Sequence, residues 1–496
     1  MTDYNWDAIV IGSGPNGLSA ALRLSLAGLK VKVLEAKDTI GGGTRTAELI
    51  REGTLHDLCS AIHPLALASP FFRALPLEEH GVRWIHPPLP LYHPLDDGDG
   101  VALHRDFNDM QSELGGAYEE WKSLVGPYSD KWRMLVKDLL APARLPRHPL
   151  LTARFALDGI WPATKLIQSR LQNRRSAALF AGMASHSVQS LDRPLTSAVA
   201  LLLSILGHST GWPIAEGGSK TLSAALATLI RKHGGEIETG VEIRKISQLP
   251  PARALLFDLS PSSLESIAAN ELPYRFRKQL KNYRHGPGVF KIDYLLSEPV
   301  PWLNQSAKLA GTLHLGGFSE EIIDSEKAMG QGRHHKRPFV LAAQQSLFDS
   351  LRTSGDEHTF WAYCHVPAKS NRSMTQEIEN QIERFAPGFR DVIQAKHTIT
   401  AHELESWNPN YIGGDINGGV QDLRQHFRRP VSLFSPYSTP NPRIWICSAS
   451  TPPGGGVHGM CGFYAAEAVL KNRFQLRSKE THFDLETGYV SQQHSR

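Results

Sequence analysis

The chain opens on a short, continuous apolar run closed by glycine, Asp7-Ala-Ile-Val-Ile-Gly12. Such a run predicts a buried strand. Helical spacing of apolar residues starts near Asn16, and a second apolar strand ends at Glu35, so residues 7–36 predict a β-α-β unit. That pattern disappears over about 69–207, a stretch rich in Leu, Trp, Arg and Pro. Helical periodicity shows there over 118–140 and 175–206. Near Gly211 the first pattern returns, with an amphipathic helix over 222–233, an alternating strand over 234–243 and a buried strand over 253–259. Further strands are expected at 288–296, 339–344, 359–366 and 443–448. Helices are expected at 376–385 and 463–470, and the polar tail beyond Phe474 is expected to fray.

The turn between the first strand and helix is Gly12-Ser-Gly-Pro-Asn-Gly17. In a dinucleotide fingerprint the first glycine makes the tight turn, the second admits a pyrophosphate to the backbone, and the third packs the helix on the sheet. Gly12, Gly14 and Gly17 occupy those places, with Pro15 and Asn16 between them. The helix start aims free N–H groups at the phosphates. Glu35, eighteen residues after Gly17, is placed to accept hydrogen bonds from ribose hydroxyls. A carboxylate there disfavours a 2′-phosphate, which points to FAD or NAD rather than NADP. A second glycine cluster, Gly41-Gly-Gly-Thr-Arg45, is expected to fold back over the same pyrophosphate, with Gly42, Gly43 and Thr44 in the turn and Arg45 neutralising phosphate charge.

Composition narrows the class. With 496 residues, 41% hydrophobic and 21% charged, the chain reads as a globular protein of two or three domains. Its net charge of +4 is too small to imply nucleic acid. The charge is uneven: residues 131–175 alone hold ten Lys or Arg against two Asp. Trp132, Phe155 and Trp161 lie among these bases, a mixture suited to the surface of an anionic membrane, the alternative being an ordinary solvated helical face. The four cysteines form no CxxC pair, so no metal site is expected and a reducing compartment fits. The first strand begins within a few residues of Met1, leaving no room for a signal peptide, and no run of eighteen apolar residues exists. The expectation is a cytoplasmic protein with peripheral membrane contact through 131–175.

Near the C-terminus comes Ser450-Thr-Pro-Pro-Gly-Gly-Gly-Val-His-Gly-Met-Cys-Gly462. Together with GSGPNG, Glu35, GGGTR at 41–45 and the glycine pair 217–218, this stretch resembles the phytoene-desaturase-like branch of the FAD-dependent carotenoid-oxidoreductase and amine-oxidase superfamily. The pieces come in the family's order over residues 7–472. The resemblance implies an α/β fold: a Rossmann-like FAD-binding domain of the two-dinucleotide-binding-domain flavoprotein type with an inserted α+β substrate domain. The FAD domain is expected from residues 1–70, 208–270 and 395–474, the substrate domain from 71–207 and 271–394, and a tail from 475–496. Relatives carry a β-hairpin after the strand corresponding to 236–243. Here Lys245-Ile-Ser-Gln-Leu-Pro-Pro runs almost directly into the next strand, so the hairpin looks deleted.

The resemblance also assigns roles. Val241, Gly454, Gly455, Gly456, Val457, Gly459 and Gly462 are expected at the cofactor, with the helix near Gly462 facing charge on the reduced ring. His458 is a candidate proton donor. Lys291, in Gly288-Val-Phe-Lys-Ile-Asp293, resembles the lysine that holds a water at flavin N5. Cys461 is not expected to link the flavin, because covalent amine oxidases carry their cysteine in a different motif. No second GxGxxG follows a strand, which argues against a separate NAD(P)H domain. The function implied is an FAD-dependent dehydrogenase or desaturase, passing hydride from an apolar, carotenoid- or isoprenoid-like substrate to N5. Two alternatives stay open: a flavin amine oxidase, with Trp361, Tyr363, Trp407, Tyr411 and Tyr437 as sources of an aromatic cage, and a non-catalytic binder of the GDP-dissociation-inhibitor type.

Overall fold

The computed structural model describes residues 4–476, 483–485 and 488–489. The strands of its two large sheets are β1 (Trp6–Ile11), β2 (Val31–Leu34), β3 (Leu89–Pro94), β4 (Gly100–Leu103), β5 (Glu236–Glu238), β6 (Ala252–Phe257), β7 (Gly288–Leu296), β8 (Ala310–Leu315), β9 (Val340–Ala343), β10 (His358–Val366), β11 (Ile393–Ile399) and β12 (Ile444–Ile446). The helices that shape the site are α1 (Pro15–Leu26), α2 (Pro149–Gly159), α3 (Arg174–Ser185), α4 (Thr196–Ser209), α5 (Lys220–Lys232) and α6 (Met460–Asn472).

The first sheet is parallel, in the order β12-β6-β1-β2-β5. Its central strands are apolar on both faces because both faces are covered. Ala8 and Val10 pack beneath α1, whereas Ile9 and Ile11 join Leu255 and Phe257 in a separate core. This sheet gathers strands from the first, middle and last parts of the sequence. The expected strand at 234–243 is shorter than its alternation suggests. It ends at Glu238, and only a single 3-10 turn, Ile246–Gln248, stands between it and β6, so no hairpin is present.

The second sheet runs β11-β7-β10-β9-β8-β3-β4 and is antiparallel except where β8 meets β3. Its alternation divides the chemistry between two faces. Phe290, Ile292 and Tyr294 of β7 and Phe360, Ala362 and Cys364 of β10 enter an outer core under the helix Thr375–Phe385. Lys291, Asp293, Trp361, Tyr363 and His365 take the opposite face, where His365 meets Glu326. β11 carries this sheet to Ile399, a few residues past the boundary expected at 394.

Part of the expected 475–496 tail lies outside the described residues. Phe483, which does not, is buried against Phe71 and Phe463. Among the described residues, no helix is long and apolar enough to cross a membrane.

Candidate functional site

Between the two sheets lies one continuous cavity of about 1150 Å³. At one end it is walled by Gly12, Ser13, Gly14, Pro15, Asn16 and Glu35. Gly12 leaves β1 at φ +99°, a left-handed conformation that favours glycine, and α1 starts at once with Pro15 in its first turn. Gly17 faces away from the cavity: a Cβ there would meet the Gly12 carbonyl at 2.2 Å. It is the glycine of close helix packing, as its place in the motif requires. Glu35 is held by its own loop. One carboxylate oxygen accepts from the Ser13 amide (2.9 Å) and hydroxyl (2.6 Å), and the other from the Lys37 amide (2.9 Å). The Val241 amide donates to the Glu35 carbonyl, and Val241 reaches the cavity beside it.

The glycine turn at 41–45 closes on the same loop, with a Cβ at Gly42 only 3.0 Å from the Gly14 Cα. Gly42, Gly43 and Arg45 line the cavity. Arg45 stacks over Trp407 with its guanidinium 4.1 Å from the ring centroid, and its Nε donates to the Gly42 carbonyl. Thr44 does not reach the cavity. Its hydroxyl binds the Gly41 carbonyl (2.8 Å) and Ser223 of α5 (2.5 Å), so it shapes the turn instead of meeting a ligand.

The C-terminal loop divides in a similar way. Gly455, Gly456, Val457 and His458 line the cavity, but Gly454, Gly459 and Gly462 do not. Gly454 turns at φ +118° beside Arg429, and Gly459 caps α6 against Ser19 and Phe72. A Cβ at Gly462 would lie 1.8 Å from the Asn16 carbonyl, so this glycine lets α6 approach α1. The start of α6 therefore packs on α1, and the expected exposure of that helix end to the ring is not observed. His458 is buried. It accepts the Met460 amide on Nδ1 at 3.0 Å, which leaves the proton on Nε2, an atom with no partner among the described residues. Burial holds its pKa down to about 4, so the ring is a neutral donor. Cys461 gives its thiol to the Thr451 and Gly454 carbonyls, and burial raises its pKa to about 11. It is not a cavity residue.

Lys291 lines the cavity from β7. Its ammonium donates to Asp293, two residues along and so on the same face, and lies 5.9 Å from the Trp361 ring centroid. His56 stands behind Asp293, its Nδ1 3.8 Å from Oδ1. Burial lowers the His56 pKa to about 4, so Lys291 is the cation of this group.

Two features escaped the sequence reading. Asp258, at the end of β6, puts Oδ2 2.9 Å from the Gly17 amide in the first turn of α1. Burial, with Glu35 adding like charge, raises its pKa to about 7. The pairing spans 241 residues, and no local pattern signals it. The second is the loop 415–418. Asp415 accepts the Gly286, Asn417 and Gly419 amides, and buried Arg429 grips the Asn417, Gly418 and Ala449 carbonyls. Together they press Asn417 onto Gly455 and Gly418 onto Ala449 at the cavity wall. Among the described residues, no group of His, Cys, Asp and Glu could hold a metal ion.

A dinucleotide cradle and, further along the cavity, a glycine-rich loop from the far C-terminus match a ligand with a pyrophosphate and a remote ring. Residues 7–143 match the family described as FAD dependent oxidoreductase. The chain carries an FAD-dependent oxidoreductase domain. The residues present fit FAD: Gly12, Gly14 and Gly42 bring backbone to the cavity where its phosphates would lie, Glu35 would accept from its ribose, and Gly455 to His458 would border its ring. The chain is 25% identical to pyridine nucleotide-disulfide oxidoreductase domain-containing protein 2 of Rattus norvegicus, over 94% of each chain. It is 22% identical to a 4,4′-diapophytoene desaturase of Staphylococcus haemolyticus, over 90% of this chain and 95% of that one. A solved oxidoreductase from Methanosarcina mazei shares the fold, with a TM-score of 0.63 at 16% identity over 94% of this chain and 99% of that one. The cavity thus draws its walls from both ends of the sequence.

Proposed function

We propose that the protein is a dehydrogenase or desaturase of an elongated, apolar substrate. The observation that carries this reading is the cavity's course. Beyond Lys291 it runs between α2 and α4, where Phe155, Ile160, Leu195, Val199 and Leu202 line it. At about 1150 Å³ it exceeds the roughly 300–1,000 Å³ of a single-ligand site, leaving room for a second molecule beside the cofactor. Bound FAD supplies the hydride acceptor. The chain's own residues do the rest: apolar walls exclude water, Lys291 carries a positive charge at the reacting end, and His458 offers a neutral N–H. The desaturase relatives support a polyene as the substrate class.

The amine-oxidase alternative is less well supported. Trp361 and Tyr363 stand side by side on β10 with rings inclined at 80°, not facing each other across a gap, and Tyr437 is spent on the Pro452 carbonyl. The test is anaerobic titration of the purified holoenzyme with a C30 polyene and with an aliphatic amine. Bleaching of the flavin by the polyene alone is expected. Bleaching by the amine alone overturns the proposal, and a protein purified without flavin puts the non-catalytic binder first.

We further propose that the substrate is collected from an anionic membrane surface at α2. Of the twelve large apolar side chains exposed among the described residues, six lie within 134–161. Leu150 is 88% exposed and Leu157 71%. Ala156 and Ile160 are both exposed and part of the cavity wall, which sets its mouth on this helix. Exposed Arg144, Arg147, Arg154 and Lys165 surround it. Trp132 and Phe155, expected among the surface aromatics, are core residues instead, and Phe155 lines the cavity.

A further inference from the structure

The sheet roof of the cavity holds polar atoms that the reaction at Lys291 leaves unused. Thr312 on β8 lines the cavity, is 2% exposed, and its hydroxyl has no partner among the described residues. His186, just past the end of α3, also lines the cavity and shares a 3.0 Å contact between its Nε2 and that of His314, two residues beyond Thr312 on β8 and so on the same face. His314 in turn sits edge-on to His93, whose Nε2 donates to the Gly317 carbonyl at 2.7 Å. Gly182 makes room for this stack, since a Cβ there would lie 2.5 Å from the His314 ring. Burial keeps all three rings neutral at physiological pH. The pair His186 and His314 has one proton between its two facing nitrogens, so it can present either tautomer toward a neighbour.

A buried hydroxyl without a partner is costly in an otherwise apolar wall. Its place in the sheet gives a measure. Thr312 pairs with Ala343, Ala343 with Trp361 and Trp361 with Asp293, the residue that holds Lys291. Three strand spacings separate them, about 14 Å. We propose that Thr312 and His186 form a subsite for a neutral oxygen, a hydroxyl or carbonyl, carried by the substrate about 14 Å from its reacting end. The occupant is neutral because the wall offers neutral donors and acceptors and no counter-charge there. The favoured substrate is then an apolar chain that also carries oxygen, a bare hydrocarbon binding more weakly. This inference rests on the proposed apolar-substrate reading, which places the reacting end at Lys291.

The test uses holoenzyme and two probes of equal length, dodecane and 1-dodecanol, with binding followed by perturbation of the bound flavin's visible spectrum. Net hydrogen-bond worth predicts that the alcohol binds about fivefold to tenfold more tightly. Thr312→Val, which keeps shape and loses the hydroxyl, and His186→Leu should each reduce that preference, read as the ratio of alcohol to alkane affinity in each variant. Flavin content and melting temperature report whether each variant has folded. Equal affinity of the wild type for both probes overturns the subsite and leaves the apolar-substrate reading standing, as does a preference that survives both substitutions. Failure of both probes to bind overturns the two together.

Discussion

At the scale of single residues, the site is governed by buried charges whose neighbours decide their state. Asp258 caps the first turn of α1, where a pyrophosphate would also be drawn. Its pKa of about 7 lies above the value of an exposed carboxyl, so the folded protein holds a proton that the unfolded chain releases. Stability contributed by this group therefore falls as pH rises from about 4 to 7 and is level above that. FAD binding should weaken by up to about fivefold between pH 7 and 8, as the ionised carboxylate meets the phosphates. Asp258→Asn keeps an acceptor for the Gly17 amide and should bind FAD with an affinity independent of pH over 6–8. Equal pH profiles for variant and wild type, by recovery of flavin fluorescence on dilution, would contradict this. Lys291 poses the complementary case. Lys291→Met leaves Asp293 buried without its cation, at a cost of about 3–5 kcal/mol. Adding Asp293→Asn should restore the melting temperature but not the rate of flavin reduction in stopped flow. A double variant that regains the rate would show that the lysine served the fold alone. That the glycine loops and Glu35 meet at one end of the cavity was legible in the sequence, because the motif sets residue types at a fixed local spacing. Asp258 was not, and neither was the split of 454–462 into cavity-lining and helix-packing glycines, which depends on where α1 lies.

At the scale of elements, the two sheets are tied together by one buried ion cluster. Arg352 gives Nη1 to Asp57 (2.7 Å), Nε to Asp349 (2.6 Å) and Nη2 to the Ala215 carbonyl (3.2 Å). The same carboxylates take the Gly217 and Ser219 amides in the turn before α5. Three distant stretches thus meet at the glycine pair 217–218. The pair reads in the sequence as a helix start, while its tie to Arg352 belongs to the tertiary structure. Burial pushes the Asp57 carboxyl up, but Arg352, the Ser219 amide and the Thr46 hydroxyl together bring it below its ordinary value. Its contribution to stability is present above about pH 4 and is lost as pH falls below that. Arg352→Met should cost about 3–5 kcal/mol at neutral pH and turn this dependence around. With the cation gone, burial raises the carboxyl, and the variant should melt at a higher temperature at pH 5 than at pH 7.5. A melting temperature that still falls toward pH 5 would remove Arg352 as the group that holds Asp57 ionised. The strands and helices themselves were legible wherever apolar periodicity ran long, as in β7, β10 and the helix Thr375–Phe385. The strand expected over 234–243 was not, since only residues 236–238 have a neighbour to pair with.

At the scale of the whole molecule, the cavity joins a polar cradle to an apolar mouth, and the surface around that mouth makes a prediction about where the protein works. Basic side chains near an anionic bilayer contribute about 1 kcal/mol each, an attraction that salt screens. Leucines contribute by burial, about 1.5–3 kcal/mol each when fully covered, and salt leaves that largely untouched. The two contributions can therefore be separated. The protein should float with vesicles of mixed phosphatidylserine and phosphatidylcholine at low salt and be released partly at high salt. Arg144→Gln with Arg147→Gln should weaken low-salt binding by about thirtyfold, the equivalent of roughly 2 kcal/mol. Leu150→Ser with Leu157→Ser should weaken binding at either salt concentration and slow uptake of an apolar substrate from vesicles, while turnover of the same substrate offered in detergent stays unchanged. That last contrast matters because these leucines are exposed and touch neither the cradle nor Lys291, so a loss confined to vesicles locates their role at the membrane. Absence of flotation at low salt, where the electrostatic attraction is strongest, would sink the proposal and leave the basic helices as a solvated face.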